Sequence, residues 1–449
     1  MTDLPDGWAK TTLGEVGRYL NGRGFKQSEW AESGRPIIRI QNLTRSGASH
    51  NYFSGPIEER YVVRRGDLLI SWAATLGAFL WQGPEAVLNQ HIFKVQSFID
   101  RRFHYYLVMY LLSDLVGETH GSGIVHVTRA RFDSLPVDLP PVAEQRRIVA
   151  VLDVYFSRLD AGVKLLTKQL LRLRALKKRL LVESVPVGDE TGWRTVTVAE
   201  AGRVDLGRQR HPDWHTGDHM RPYLRVANVF EDRIDTTDVM EMDFPPAVFE
   251  KFKLVPGDIL LNEGQSPELL GRPALYRGVP EDVAFTNSLL RFRVGPDVDP
   301  EWALLVFRRH MHAGRFSREV RITTNIAHLS ATRFKAVEFP IPPLTEQREI
   351  VARTADRLAG VERLIAEVEH AARKSDALRA SLLAEAFAGR LVPQDPDDEP
   401  AAELLARIRA ERSATIPKQR TRSRRTPKEL AAPPTRVTGD DYQQETLPL

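Results

Sequence analysis

PPVAEQRRIVAVLD at residues 140–153 returns as PPLTEQREIVARTA at 342–355, a displacement of 202 residues. Working outward, Trp8 and Gly17 answer Trp193 and Gly202, Arg39-Ile40-Gln41-Asn42 answers Arg225-Val226-Ala227-Asn228, and RRGDLLI at 64–70 answers VPGDILL at 255–261. The displacement grows along the chain from 185 to 186, 191 and 202. Small insertions between fixed points are what loops accumulate on a shared scaffold. One polypeptide therefore presents two related surfaces, an arrangement suited to reading two different things with one design.

A chain of 449 residues exceeds one ordinary hydrophobic core and fits two or three domains. The duplication sets the expectation at two globular units plus helical segments. There are no cysteines, which excludes a disulfide scaffold, a thiolate metal site and cysteine nucleophilic chemistry. The opening MTDLPDGWAK has no basic region followed by an apolar run, and YYLVMYLL at 105–112 is far below the roughly 20 residues of a membrane helix. A soluble, cytoplasmic protein is expected. The net charge of +4 is unevenly placed, since residues 411–449 hold eight Lys and Arg against five Asp and Glu. KQRTRSRRTPKELAAPPTR at 418–436 is Pro- and Arg-rich with few large apolar residues, and reads as a disordered tail. It either keeps the chain soluble or adds nonspecific nucleic-acid contact.

In the first copy PIIRIQNL at 36–43, DLLISW at 67–72 and HIFKVQSF at 91–98 read as strands, and Arg102 to Leu115 as a helix. The second copy repeats the order with PYLRVANVF at 222–230, GDILLNE at 257–263, SLLRFRVG at 288–295 and a helix near Pro300 to Met311. Gly66-Asp67 and Gly257-Asp258 suit tight turns feeding strands. Each copy is thus an α+β domain.

After each Pro-Pro pair the period changes. Ile148, Leu152, Tyr155, Leu159, Val163, Leu166, Leu170, Leu173 and Leu180 recur mostly at spacings of three and four, the seam of a coiled coil. Ile350, Leu358, Val361, Ile365, Val368, Ala372, Leu378 and Leu382 form its counterpart. A helix over 142–183 spans about 63 Å, and two such stripes in one chain can cover each other, most naturally antiparallel. Gly389 and Pro393 mark the end of the second helix. DEPAAELLARI at 398–408 starts a short amphipathic helix whose Leu404, Leu405 and Ile408 require cover, from the chain itself or from a partner.

The chain has no phosphate loop, no dinucleotide-binding glycine fingerprint after a strand and no His-Glu-x-x-His segment. His211, His215 and His219 are spaced by four, but Pro212 and Gly217 make that segment a loop. His310 and His312 read as polar side chains on the solvated side of a helix. No carboxylate pair has an assignable catalytic geometry, so no autonomous enzyme is expected.

The LPDGW opening at 4–8, the doubled Pro-Pro-x-x-Glu-Gln-Arg at 140–146 and 342–348, and SLLAEAFAGRLVPQDPDDEPAAELLARI at 381–408 resemble the specificity subunits of Type I restriction-modification systems. The likeness spans roughly residues 4 to 408. It implies a noncatalytic DNA reader: two target recognition domains joined by two long antiparallel coiled-coil helices in a pseudo-twofold arrangement. The domains are then expected at 1–141 and 185–343, the spacer helices at 142–184 and 344–390, a short helical segment at 391–410 and a tail at 411–449. Each domain reads one half of a bipartite double-stranded target, and the helices set the gap. The resemblance further implies two modification subunits that methylate adenine with S-adenosylmethionine, and restriction subunits that translocate and cut DNA with ATP and Mg. None of these cofactors is expected on this chain. A two-headed protein scaffold without DNA specificity is the alternative, distinguished by showing no sequence preference with its partners present.

Arg addresses guanine edges and Asn or Gln adenine edges, while Thr often takes phosphates. On that basis the first copy offers Arg39, Gln41, Asn42 and Arg45 at a strand-to-loop exit, and His126, Thr128, Arg129 and Arg131 after GSG at 121–123. The second offers Arg225, Asn228, Arg321, Thr323, Thr324 and Asn325, with Arg208, Arg210 and His211 in a polar loop. Glu144, Gln145 and Arg146, paired with Glu346, Gln347 and Arg348, sit at helix starts. They serve either capping and domain docking or two equivalent partner grooves.

Overall fold

In the computed structural model, residues 4–45, 47–73, 75–117, 129–186, 192–318 and 327–415 are described. The chain divides into two compact units, residues 1–150 with 385–449 and residues 151–384.

The first unit contains an antiparallel four-stranded sheet in the order Gly17–Asn21, Ile92–Ser97, Leu68–Ser71, Gly77–Leu80. A second sheet runs Asn51–Phe53, Arg35–Ile38, Ala86–Leu88, Val62–Val63, with the Arg35–Ile38 and Ala86–Leu88 pair parallel. Ile38, Val63, Leu69, Trp81, Leu88 and Ile92 pack together in a core that draws on both sheets. A ribbon pairs Ala9–Thr12 with Pro136–Leu139.

The second unit repeats this plan. Its four-stranded sheet runs Gly202–Leu206, Leu289–Val294, Ile259–Asn262, Pro273–Leu275. Met220–Leu224 pairs antiparallel with Met240–Asp243 and parallel with Ala284–Phe285. The ribbon pairs Arg194–Thr197 with Glu338–Ile341. The two Gly-Asp turns also match: Gly66 and Gly257 sit at φ +87° and +99°. The carboxylates of Asp67 and Asp258 accept from the backbone N–H three residues earlier, both at 2.9 Å.

Two expected strands are shorter than their apolar runs. PIIRIQNL leaves the sheet at Ile38 and turns into a helix at Ile40–Thr44, and PYLRVANVF breaks at a 3-10 turn over Val226–Asn228. In both, an Asn side chain supplies the acceptor that the strand ladder no longer provides.

Each Pro-Pro pair leads into a long helix, Val142–Ser184 and Leu344–Phe387. The first is about 65 Å long at ~1.5 Å per residue. Three ion pairs order the two helices within the second unit: Asp160 with Arg379 at 2.5 Å, Arg174 with Glu369 at 3.1 Å and Lys177 with Glu362 at 2.7 Å. As one number rises the other falls, so the helices are antiparallel. The least exposed stripe, buried or half-buried throughout, follows a strict alternation of four and three through 152, 156, 159, 163, 166, 170, 173, 177 and 180, and through 354, 358, 361, 365, 368, 372, 375, 379 and 382. This corrects two seam positions. Tyr155 and Leu378 are 45% and 48% exposed, and their places are taken by Phe156 and Arg379, whose guanidinium lies 4.6 Å over the Phe156 ring. A heptad admits Arg there because its long stem packs while its head reaches Asp160.

His310 is a further correction. It is fully buried rather than solvated, with Nε2 2.9 Å from the Glu338 carbonyl, and burial lowers its pKa to about 4. His312 instead faces Glu231 at 3.1 Å, where Arg308 Nε also donates at 2.9 Å. Burial alone raises the Glu231 pKa, but the His312 hydrogen bond and the Arg308 charge outweigh it and hold the carboxyl at about 2. The unfolded chain therefore binds this proton more readily. The stabilisation, on the order of 3 kcal/mol, is present above the ordinary carboxylate range and is lost as pH falls through it toward 2. Melting curves of Glu231→Gln and the parent are expected to differ widely at pH 7 and to converge near pH 2.5; a gap unchanged with pH rejects the assignment.

The helix Ala401–Thr415 belongs to the first unit, where Ala401, Leu405 and Ile408 are buried, so the chain itself covers that apolar face. No helix among the described residues is long and apolar enough to cross a membrane.

Candidate nucleic-acid interface

Both units build the same turn where the expected contact residues begin. The Asn42 Oδ1 accepts from the Arg39 N–H, and the Asn228 Oδ1 from the Arg225 N–H, each at 3.0 Å. The amides then donate onward, Asn42 to the Ser49 carbonyl at 2.9 Å and Asn228 to the Asp235 and Asp238 carbonyls at 3.0 and 2.9 Å. With its amide spent and 2% exposed, Asn228 holds the loop rather than offering a base contact. Arg39 lies 4.7 Å over Trp30, and Arg225 is ion-paired with Asp238. The matched arginines are thus engaged inside their own units.

Arg208 is likewise committed. It lies 3.9 Å over Trp214 and 4.7 Å over Phe244 and donates to the Asp243 carbonyl, and burial lowers its pKa. Its counterpart at the same strand exit is Arg23, 4.4 Å over Phe25 and ion-paired with Glu29. Each arginine forms an isolated parallel bridge, Arg23 with Asn89 and Arg208 with Thr286. His211 is exposed and pairs with Asp213 at 3.2 Å. The segment from Pro212 to His215 is a 3-10 turn, and no group of three or more metal-ligating side chains occurs among the described residues.

Gln41, Arg45, Arg129, Arg131, Arg210 and His211 remain exposed. Arg129 stands 5.9 Å over the Phe93 ring and pairs with Asp133 at 3.3 Å. His126, Thr128, Arg321, Thr323, Thr324 and Asn325 lie outside the described residues.

The structure adds positions that sequence reading missed. The Trp72 N–H donates to the His91 carbonyl at 3.3 Å, and at the matched place the Glu263 N–H donates to the Ser288 carbonyl at 3.0 Å. The backbone is the same while the chemistry differs. Trp72 stacks on Phe93 and donates to the Asn21 side chain at 3.2 Å; Glu263 pairs with His328 at 3.1 Å. The available signal was the contrast of Trp72 with Glu263 when the halves are aligned through RRGDLLI and VPGDILL.

The Glu-Gln-Arg elements form matched joints. Trp8 Nε1 donates to Glu144 at 3.0 Å and Trp193 Nε1 to Glu346 at 3.2 Å. Gln145 accepts from the Asp100 N–H at 3.1 Å and donates to the Pro140 carbonyl at 2.9 Å. Gln347 accepts from the Asp299 N–H and donates to the Pro342 carbonyl, both at 2.8 Å. Glu144, Gln145 and Gln347 are fully buried, so these side chains tie each long helix to its own ribbon and helix start. Burial raises the Glu144 pKa. Arg146 and Arg348 point outward, Arg348 reaching Asp299 at 3.3 Å.

Residues 5–169 match the family model described as Type I restriction modification DNA specificity domain. The chain is 25% identical to the Type I restriction enzyme EcoBI specificity subunit of Escherichia coli over 94% of this chain and 96% of that one. It is 26% identical to the EcoKI specificity subunit of Escherichia coli strain K12 over 68% and 70%. A solved chain from work on complex assembly and conformational transition of the type I R-M system superposes with a TM-score of 0.67. It is 19% identical and covers 87% of this chain and all of that one.

Proposed function

We propose that this chain, similar along most of its length to a specificity subunit of a Type I restriction-modification system, acts as one, and that each of its two units reads one half of a bipartite DNA target. The long helices, in this reading, set the unspecified gap. The observation that carries it is the matched strand end at which Trp72 and Glu263 replace one another on the same backbone. A duplicated scaffold keeps its pose on the duplex through shared elements and changes what it reads through side chains at equivalent places.

The exposed Gln41, Arg45, Arg129 and Arg131 in one unit, and Arg210 and His211 in the other, are the proposed contacts. His126, Thr128, Arg321, Thr323, Thr324 and Asn325 are proposed from sequence alone. Arg forks match guanine O6 and N7, Gln matches adenine N6 and N7, and a carboxylate such as that of Glu263 accepts from the cytosine amino group. The chain makes and breaks no bond in this scheme. Two modification subunits are proposed to methylate adenine with S-adenosylmethionine, and restriction subunits to translocate and cleave with ATP and Mg.

Genomic adenine methylation, read by single-molecule sequencing in strains with and without the gene, tests the proposal. Loss of methylation at one bipartite motif is expected. An active modification partner whose methylation pattern does not change on deletion overturns it.

A further inference from the structure

The two ribbon faces are built alike but covered differently. In the first unit the segment after the second long helix folds back over the ribbon. Gly389 packs so closely that a side-chain carbon there would meet Pro5 Cγ at 2.5 Å and Trp8 at 3.3 Å. Gln394 donates to Glu144 at 3.2 Å, and the Ala401 N–H donates to the Gly7 carbonyl at 2.9 Å. The helix Ala401–Thr415 then lies on the turn Leu13–Val16, with Arg409 forked onto the Glu15 carboxylate at 3.0 Å through both nitrogens and Arg412 donating to the Gly14 carbonyl at 2.8 Å. Under this cover Trp8 and Thr11 are each 8% exposed.

Among the described residues, the second unit presents the same face without such a helix. Only six residues separate Val185 from Gly192, too few to encode one. Pro343 is exposed where Pro141 is buried, Leu344 is 38% exposed, and Trp193 and Val196 are half-buried. A shallow hollow of about 430 Å³ runs past Gly192, Trp193, Ile341, Pro343 and Leu344, with the Arg194–Asp297 ion pair at 3.0 Å at its edge. Two side chains are more apolar here than under the cover, Val196 in place of Thr11 and Leu344 in place of Val142. The acid that receives Arg409 in the first unit is kept as Glu200, and it is exposed. Larger apolar groups on an open face, beside a retained acid, describe a seat rather than a solvated surface.

We infer that this face of the second unit, Trp193, Val196, Pro343 and Leu344 flanked by Glu200, docks an amphipathic helix of another protein, with a Leu and Ala stripe followed by arginines like those of Ala401–Thr415. A second copy of this chain is a poor occupant, because the one such helix among its described residues is already seated on its own first unit. The inference is independent of the DNA-reading proposal and stands or falls separately.

A fluorescein-labelled peptide of residues 398–415 carries the required pattern and serves as the probe, titrated by anisotropy onto the full-length chain. Saturable binding is expected, weakened at least tenfold by Leu344→Glu and by Glu200→Arg. A peptide carrying Arg409→Glu and Arg412→Glu is expected to recover binding to the Glu200→Arg chain to within about threefold of the parent pair. That exchange keeps the test decisive should Leu344→Glu fail to fold, which melting curves report. Absence of saturable binding overturns the inference. So does binding indifferent to Glu200→Arg, since the peptide then sits elsewhere, for instance displacing the resident helix on the first unit.

Discussion

Inserting one heptad into each long helix between the Asp160–Arg379 and Arg174–Glu369 pairs, after Lys168 in the first and after Lys374 in the second, is expected to lengthen the unspecified gap by about three base pairs. Seven helical residues add about 10.5 Å at ~1.5 Å each, and a base pair occupies about 3.4 Å along the duplex. A full heptad returns every buried position to the seam, so packing on both sides of the insert survives. Both half-sites are expected to stay the same, because no residue of either ribbon or sheet is touched. The motif methylated in cells carrying the paired insertion reports the gap directly. A four-residue insertion in one helix alone rotates the remaining stripe off its partner and is expected to abolish methylation altogether. An active assembly with paired insertions and an unaltered gap refutes the spacer role.

Asp258→Asn is expected to cost about 2–3 kcal/mol and to lower the melting temperature of the second unit by several degrees. Asp258 is fully buried, with Arg293 forked onto it at 2.7 and 2.8 Å, the Val255 N–H at 2.9 Å and Arg291 at 4.0 Å. The amide keeps the shape but removes the charge onto which Arg293 is forked, while Arg291, itself 2% exposed, keeps its closer partner Asp205 at 2.6 Å. The loss falls mainly on Arg293, whose 37% exposure lets water take up part of the uncompensated charge. The matched change Asp67→Asn in the first unit should cost less, since that side chain is 17% exposed and faces Lys94 at 3.2 Å and Arg101 at 4.0 Å. Calorimetric melts of both variants check the ranking; equal losses contradict the burial argument.

These two expectations draw on different depths of legibility. The duplicated Pro-Pro-x-x-Glu-Gln-Arg and the change of period after it were readable because helical spacing is a local property. The choice between Tyr155 and Phe156 was not. Both are aromatic and one residue apart, and what decides is the unbroken alternation of four and three, together with an Arg379 that hydrophobicity alone leaves out of a seam. Strand existence was readable from apolar runs, but the ends at Ile38 and Leu224 depend on Asn42 and Asn228 folding back on their own loops, a choice made by hydrogen bonds rather than by pattern. Sheet order was beyond reach because Gly17–Asn21 pairs with Ile92–Ser97 across most of a domain. The contact candidates were the least legible. Arginine in a polar loop reads the same whether it faces solvent, as Arg210 does, or lies sandwiched between aromatic rings, as Arg208 does. His310 failed for the same reason, since a carbonyl partner 28 residues away satisfies it in the core.

The Phe156, Asp160 and Arg379 group has a bearing on how such proteins can be recombined. A stripe made only of aliphatic side chains can slip by one repeat and still pack, whereas a guanidinium that needs both a ring and a carboxylate finds them at one setting. The three residues are split between the two helices, so an exchange that brings in one half of the chain from a relative parts Arg379 from its two companions. Chimaeras that inherit the three together should keep their helices in step; those that inherit only Phe156 and Asp160, or only Arg379, should lose the index mark by which one helix is set against the other.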